Sequence, residues 1–162
     1  MAPPSDPSPR LARPDEAPAL AALVRRAYAP WVPVIGRPPA PMQDDYAARI
    51  AAGQAWVLEE DGVLLGLVVI EEHPACLWLD NVAVDPARHG AGIGRALLRF
   101  VGREARRRGL PEIGLITNEK MASNIALYRR LGFTERGRRL EKGFHRVEFR
   151  IAAGQLLAGS PG

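Results

Sequence analysis

The sequence predicts an α/β (α+β) fold in which a mixed central sheet of about seven strands is flanked by about four helices. Three observations carry that expectation. A β-branched stretch, Val82-Ala83-Val84, passes through Asp85-Pro86 into His89-Gly90-Ala91-Gly92-Ile93-Gly94, after which apolar residues recur at 93, 96, 97, 100 and 101, so strand, loop and helix follow one another. Two apolar stretches flank Asp61-Gly62, a dipeptide suited to a tight hairpin turn. Extended and helical periodicities alternate along the chain in the order β-α-α-β-β-β-α-β-α-β-β.

Taken in order, residues 1 to 9 hold four prolines and two serines without periodicity and are expected to be a flexible tail. Arg10 to Arg13 reads as a short edge strand. From Asp15 to Tyr28 the apolar positions 20, 23, 24, 27 and 28 repeat at helical spacing, with Pro14-Asp15-Glu16 suited to a helix start. The stretch from Trp31 to Met42 carries Pro33, Pro38, Pro39 and Pro41, which argues against regular structure and predicts a surface loop. A second helix is expected from Gln43 or Asp44 to about Ala52, ended by Gly53. Ala55 to Glu60 and Val63 to Glu71 form the hairpin, and Leu64 to Ile70 is apolar enough to be buried on both faces. Leu77 to Val84 is the next strand. The helix after the glycine loop should run from about Gly92 to Arg108, turning Arg95, Arg99, Arg103 and Glu104 outward. Glu112 to Thr117 is a strand, Asn118 or a neighbour caps a helix over Ala122 to Leu131, and Phe133 to Leu140 pairs with Phe144 to Ile151 through Glu141-Lys142-Gly143. Residues 154 to 162 are expected to fray, leaving one domain over 10 to 153.

Composition bounds the function. The chain has 162 residues, 47% hydrophobic and 25% charged, which excludes a disordered chain and suffices for a sizeable core. No apolar run reaches bilayer length and no hydrophobic leader opens the sequence, so a cytoplasmic protein with no membrane partner is expected. The single Cys76 cannot close an internal disulfide and lies in an apolar stretch, which favours an inert thiol over a nucleophile. No His, Cys or carboxylate cluster has ligand spacing, so no metal is expected. The net charge of +4 invites a nucleic-acid reading, but the excess sits in Arg103, Arg106, Arg107 and Arg108 near a helix end and in Arg129, Arg130, Arg136, Arg138 and Arg139. No aromatic-interleaved basic patch accompanies it, so no nucleic-acid partner is expected. Any self-association is expected to give a homodimer, the commonest assembly.

The chemistry starts at the glycine loop. No Ser, Thr, Asp or Asn stands between His89 and Ala96 to accept the free N–H groups of the coming helix. Glycines 90, 92 and 94 leave no β-carbon to keep a ligand off the backbone, and the positive end of the helix dipole favours an anion. The loop reads as a phosphate or diphosphate cradle; the alternative is a glycine-rich turn that binds nothing. A Walker loop would need Gly-Lys-Ser/Thr, yet Gly94 is followed by Arg95-Ala96. A dinucleotide fingerprint would begin directly after the strand and place a sixth-position glycine where Arg95 stands.

What remains resembles the acetyl-CoA loop of the GNAT superfamily of N-acetyltransferases, with Val84-Asp85-Pro86 before it and His89 where Arg or Gln is usual. The order of elements is that of the GNAT fold, so the resemblance covers roughly residues 10 to 152. Asn124-Ile125-Ala126-Leu127-Tyr128, followed by Leu131-Gly132-Phe133, is similar to a second superfamily pattern, with three residues between Asn124 and Tyr128 instead of four. The resemblance implies transfer of an acetyl group from acetyl-CoA, as cosubstrate, to a primary amine of a small molecule by direct attack in a ternary complex. It implies that the backbone of Val82, Ala83 and Val84 pairs with the pantetheine arm and that phosphates rest on His89, Gly90, Ala91, Gly92, Ile93, Gly94 and Arg95. Asn118 and Asn124 join the cofactor-binding set, and Tyr128 becomes the general acid for the departing thiolate. Asp80, Asn81, Glu119 and His73 lie near an expected splay between strands; Asp80 is favoured as the base, with amine recognition or strand-end solvation as alternatives. Acceptor selection would fall to Tyr28 to Tyr46, with Trp31 and Tyr46 as pocket residues beside Met42, Asp44 and Asp45. A non-catalytic acyl-CoA-binding module and a protein or peptide N-acetyltransferase are the competing functions.

Overall fold

The computed structural model describes residues 8–88 and 90–157; His89, residues 1–7 of the expected tail and residues 158–162 of the expected frayed end lie outside the described residues. The elements are β1 (Arg10–Leu11), α1 (Ala17–Tyr28), a short α2 (Val32–Ile35), α3 (Tyr46–Ala51), β2 (Ala55–Glu60), β3 (Val63–His73), β4 (Cys76–Val84), α4 (Ile93–Arg107), β5 (Glu112–Asn118), α5 (Ala122–Leu131), β6 (Thr134–Glu141), β7 (Phe144–Ala152) and α6 (Ala153–Leu157). Hydrogen bonding orders the strands β1-β2-β3-β4-β5-β7-β6, with β4 and β5 parallel and the β1–β2, β2–β3, β5–β7 and β6–β7 pairs antiparallel, so the sheet is mixed. Among the described residues no helix is long and apolar enough to cross a membrane. The chain groups into two units, one built from residues up to Val69 with Asn81–Phe100, the other from Ile70–Asp80 with Val101 onward.

In the first unit, the Asp61-Gly62 turn has φ of 52° and 79°, the paired left-handed geometry that two-residue hairpins need and that this dipeptide supplies at low strain. α1 buries Leu20, Leu23, Val24 and Tyr28, the face expected from its periodicity. Its entry is clamped by charge: Arg10 donates to both oxygens of Glu16 at 2.9 Å and to Glu59 at 2.9 Å, while the Arg13 N–H reaches Glu16 at 2.8 Å. The Arg10 guanidinium holds the Glu16 carboxyl down at about 2. Gly66 sits where β3 meets the start of α4. A β-carbon there would lie 2.9 Å from the Ala83 carbonyl oxygen, 2.9 Å from Leu97 Cδ1 and 3.1 Å from Ile93 Cγ2. Gly66→Ala is therefore expected to cost about 1–3 kcal/mol of stability, because the helix must move off the strand. An unchanged urea midpoint would show that the contact yields freely.

Two expectations for this unit are corrected. The prolines do not exclude regular structure between Trp31 and Met42: α2 forms there with proline in its first turn, where the missing N–H would be unpaired in any case, and Gly36 closes it at φ 92° with a 2.8 Å bond to Val32 O. Residues Ala29–Trp31 and Ala40–Gln43 are 3₁₀ turns that use proline in the same way. α3 begins at Tyr46, later than expected, because the Asp45 carboxylate caps it by accepting from Ala48 N at 3.0 Å.

In the second unit, Cys76–Leu79 pair in parallel with Glu112–Leu115, and β5 pairs with β7 over its full length. Leu77, Leu79, Ile113, Leu115, Val147, Phe149 and Ile151 are buried on one face, with Tyr128 and Phe133. On the opposite face Gly114 leaves room for the Trp78 ring, which a β-carbon would meet at 2.8 Å, and the Arg150 guanidinium lies 5.5 Å from that ring's centre. The β6–β7 turn repeats the hairpin chemistry, with Lys142 at φ 52° and Gly143 at φ 81°.

Here three details depart from expectation. Glu104 does not face outward: it is 6% exposed, and its carboxylate takes Arg107 at 2.7 and 2.9 Å and Arg108 at 2.9 Å. The spacing 97-100-101-104-105 places it on the buried stripe, and charge-assisted bonds offset its desolvation. Asn118 is not the cap of α5; Met121 holds that position without a side-chain bond, while Asn118 Oδ1 accepts from Lys120 N at 2.9 Å and its carbonyl from Met121 N at 3.0 Å. Residues 154–157 of the expected frayed end instead lie in α6, which is started by a 2.9 Å bond from Ala153 N to Pro111 O and anchored by buried Leu156.

Candidate active site

The end of β4 and the loop after it belong to the first unit. Ala83 is buried, and Val82 and Val84 are half-buried. Asp85 stops the strand: its N–H donates to Leu65 O at 2.9 Å, its Oδ1 accepts from Ala87 N at 3.0 Å, and its Oδ2 accepts from Arg26 at 3.2 Å. The Ala87 N–H, with Arg26 beside it, holds this carboxyl below its ordinary range. Gly90 and Gly92 follow at φ 83° and 78°, and among the described residues other than their chain neighbours no atom lies within 4 Å of where a β-carbon would be. Only glycine adopts both conformations without strain.

The hydrogen bonds then leave a gap. Ala91 N is taken by Arg88 O at 3.2 Å and Ala96 N by Gly92 O at 3.0 Å, whereas the N–H groups of Gly92, Ile93, Gly94 and Arg95 have no acceptor among the described residues. These are the orphan donors at the first turn of α4, at the positive end of its dipole, beside open space at two glycines. Arg88 and Arg95 are exposed there. This arrangement fits a diphosphate. His89 lies outside the described residues.

Behind the strand lies a buried polar cluster that sequence reasoning missed. Tyr28 Oη donates to Asn81 Oδ1 at 2.6 Å and lies 3.2 Å from Val82 O; Asn81 Nδ2 donates to Tyr46 Oη at 3.1 Å, and Tyr46 Oη donates to Pro41 O at 2.6 Å. Tyr28, Asn81 and Tyr46 are 9%, 4% and 4% exposed. Tyr46, expected to line the acceptor pocket, is thus a core residue whose hydroxyl is engaged on both sides. Trp31 is half-buried just before α2. No spacing rule links positions 28, 46 and 81, so only the fold could have joined them.

The second unit holds the remaining candidates. Asp80 is half-buried on β4, one residue past the last β4–β5 pair, Leu79↔Leu115. Glu119 meets Arg138 at 3.7 Å, and His73 meets Glu71 at 3.1 Å and stacks on Trp78 with ring centres 5.6 Å apart. Asn124 and Tyr128 are one turn apart on α5, Asn124 half-buried and Tyr128 buried. The Tyr128 ring lies 5.5 Å from that of Phe133 and 6.1 Å from that of Phe149, and burial pushes its hydroxyl up to about 12. Cys76 is buried, and burial raises its thiol above the usual range. Among the described residues no group of three or more His, Cys, Asp or Glu could hold a metal ion.

Comparison with known proteins adds an independent line. The family model described as "Acetyltransferase (GNAT) family" matches residues 20–133. The chain is 34% identical over 93 residues to N-acetyltransferase family 8 member 2 of Rattus norvegicus, covering 54% of this chain and 41% of that protein. It is 44% identical over 57 residues to the ribosomal protein bS18-alanine N-acetyltransferase of Escherichia coli, covering 35% of this chain and 38% of that one. The match thus spans less than half the length of these curated relatives. The fold is similar to that of the paia N-acetyltransferase from Thermoplasma acidophilum in complex with coenzyme A, with a TM-score of 0.73 at 14% identity over 89% of this chain and 98% of that one.

Proposed function

The chain belongs to the GNAT acetyltransferase family, and from that membership we propose that it transfers an acetyl group from acetyl-CoA to a primary amine of a small molecule. The observation that carries the reading is the run of N–H groups from Gly92 to Arg95 that have no acceptor among the described residues, beside the open space at Gly90 and Gly92. Such a run is matched to a diphosphate, which can accept several of those bonds at once. In this reading the Val82–Val84 backbone takes the pantetheine arm as an added strand would and supplies a donor to the carbonyl oxygen as it gains charge. Asn118 and Asn124 assist in holding the arm, Asp80 accepts the amine proton directly or through water, and Tyr128 donates toward the departing sulfur. Trp31 remains a candidate contact for the acceptor. With a buried, raised thiol, Cys76 is unsuited to carry an acyl group, which supports direct attack.

Acetyl-CoA uptake measured by calorimetry, followed by CoA thiol release with a panel of amines, tests the proposal. Saturable uptake and amine-dependent release are expected. Uptake with no release from any amine would identify a binding module, and no uptake would overturn the reading. The 44% identity to an alanine N-acetyltransferase of a ribosomal protein favours a second acceptor class, a peptide N-terminus. Peptides in the same panel decide between the two.

A further inference from the structure

Tyr28 is the last residue of α1 and Tyr46 the first of α3, so the cluster with Asn81 grips both ends of the segment 29–45. Pro41, which accepts the Tyr46 hydroxyl proton at 2.6 Å, lies inside that segment. We propose that Asn81 is a positioning residue for acceptor selection: its carboxamide fastens the two ends of segment 29–45 to β4 and thereby sets the wall against which the acceptor binds, without itself touching the acceptor. The inference rests on the acetyltransferase reading for its kinetic consequence, while the fastening stands on the cluster alone.

The directions of the bonds show why an amide is needed. A hydroxyl has one proton. That of Tyr46 goes to Pro41 O, so the Tyr46 oxygen must accept, and Asn81 Nδ2 supplies the donor at 3.1 Å. That of Tyr28 goes to Asn81 Oδ1 at 2.6 Å, closer than its 3.2 Å approach to Val82 O, so the same planar group also accepts. A carboxylate offers no donor, and an aliphatic side chain offers neither. With all three residues less than a tenth exposed, water cannot replace a lost partner cheaply. The outer turn of the segment is by contrast open, with Val34 49% exposed and Pro33, Gly36, Arg37 and Pro38 exposed. A segment held at its ends and open at its turn changes position when an end is released, and acceptor affinity falls by the fraction of time the wall is displaced.

Two variants test this. Asn81→Asp keeps the acceptor for Tyr28 but, when ionised, loses the donor to Tyr46; protonated, it regains an O–H and again matches the amide. Tyr46→Phe keeps the ring in the core and removes the hydroxyl at every pH, which also covers failure of the Asp variant to fold. At about pH 8, both are expected to speed hydrogen exchange in residues 29–45 by about tenfold relative to wild type, with residues 55–69 unchanged. Acetyl-CoA affinity should stay within about twofold, while KM for the best amine or peptide of the panel rises about tenfold. At about pH 5, compared with wild type at the same pH, exchange should return toward normal in Asn81→Asp only. Unchanged exchange over 29–45, an equal increase over 55–69, or acceptor KM rising in step with acetyl-CoA affinity loss would each overturn the proposal. Failure of the wild-type protein to bind acetyl-CoA would instead strike the acetyltransferase reading, leaving the exchange experiment to decide the fastening.

Discussion

Gly92→Val should weaken acetyl-CoA binding by at least about a hundredfold, because the substitution acts twice on the same backbone. At φ 78° a β-branched residue is strained, so the loop shifts away from the geometry that presents its N–H groups. Its methyls would also fill the space left open at Gly92, where the reading puts the diphosphate. Each charge-assisted bond lost is worth about 1.5–3 kcal/mol, so two suffice for the stated effect. Gly36→Val is the matched control, since Gly36 also has positive φ, 92°, and no atom within 4 Å of a β-carbon position. It carries similar strain, and its acetyl-CoA affinity measured by calorimetry should match wild type. Equal losses in both variants would mean that backbone strain, and no anion cradle, accounts for the result.

Tyr128→Phe should lower kcat by about a hundredfold with acetyl-CoA affinity essentially unchanged, the pattern of a group used in the transition state. The shape of the pH profile is also expected. Burial raises the Tyr128 hydroxyl to about 12, so the protonated form is present at every pH below that value and is lost only above it. A basic limb in the kcat profile at lower pH would therefore belong to another group, and it should persist in the phenylalanine variant. An ordinary thiol ionises near about 8.5, below the raised Tyr128 hydroxyl, so outright proton transfer from Tyr128 to a thiolate would run uphill. The hydroxyl is better suited to stabilise the departing sulfur by donating a hydrogen bond than to surrender its proton. Wild-type turnover in the phenylalanine variant would remove Tyr128 from the reaction.

Much of the architecture was legible because certain residues admit few conformations. Asp61-Gly62 and Lys142-Gly143 mark left-handed turns, and Gly90 and Gly92 mark a backbone that side chains strain. Periodicity located α1, α4 and α5 to within about two residues, as expected where one stripe is apolar. Proline misled, since its effect depends on whether it falls in the first turn of a helix or later, which composition does not reveal. Glu104 misled through its charge, although its spacing was that of a buried residue. The Tyr28–Asn81–Tyr46 cluster was invisible for a different reason: its members come from two helices and a strand, and although Asn81 and Tyr46 each stood out as a candidate site residue, nothing in their spacing joins them to each other or to Tyr28.

Gly66 has a consequence for how this chain can vary. Every single-base change in a glycine codon that alters the residue adds at least one carbon, and here even the smallest addition meets atoms at 2.9 Å. Leu97 and Ile93 could be trimmed by prior substitution, but the Ala83 oxygen is main chain and has nothing to give up. Drift at position 66 is thus closed to stepwise exploration unless β4 itself is displaced, and β4 is the strand that leads into the glycine loop.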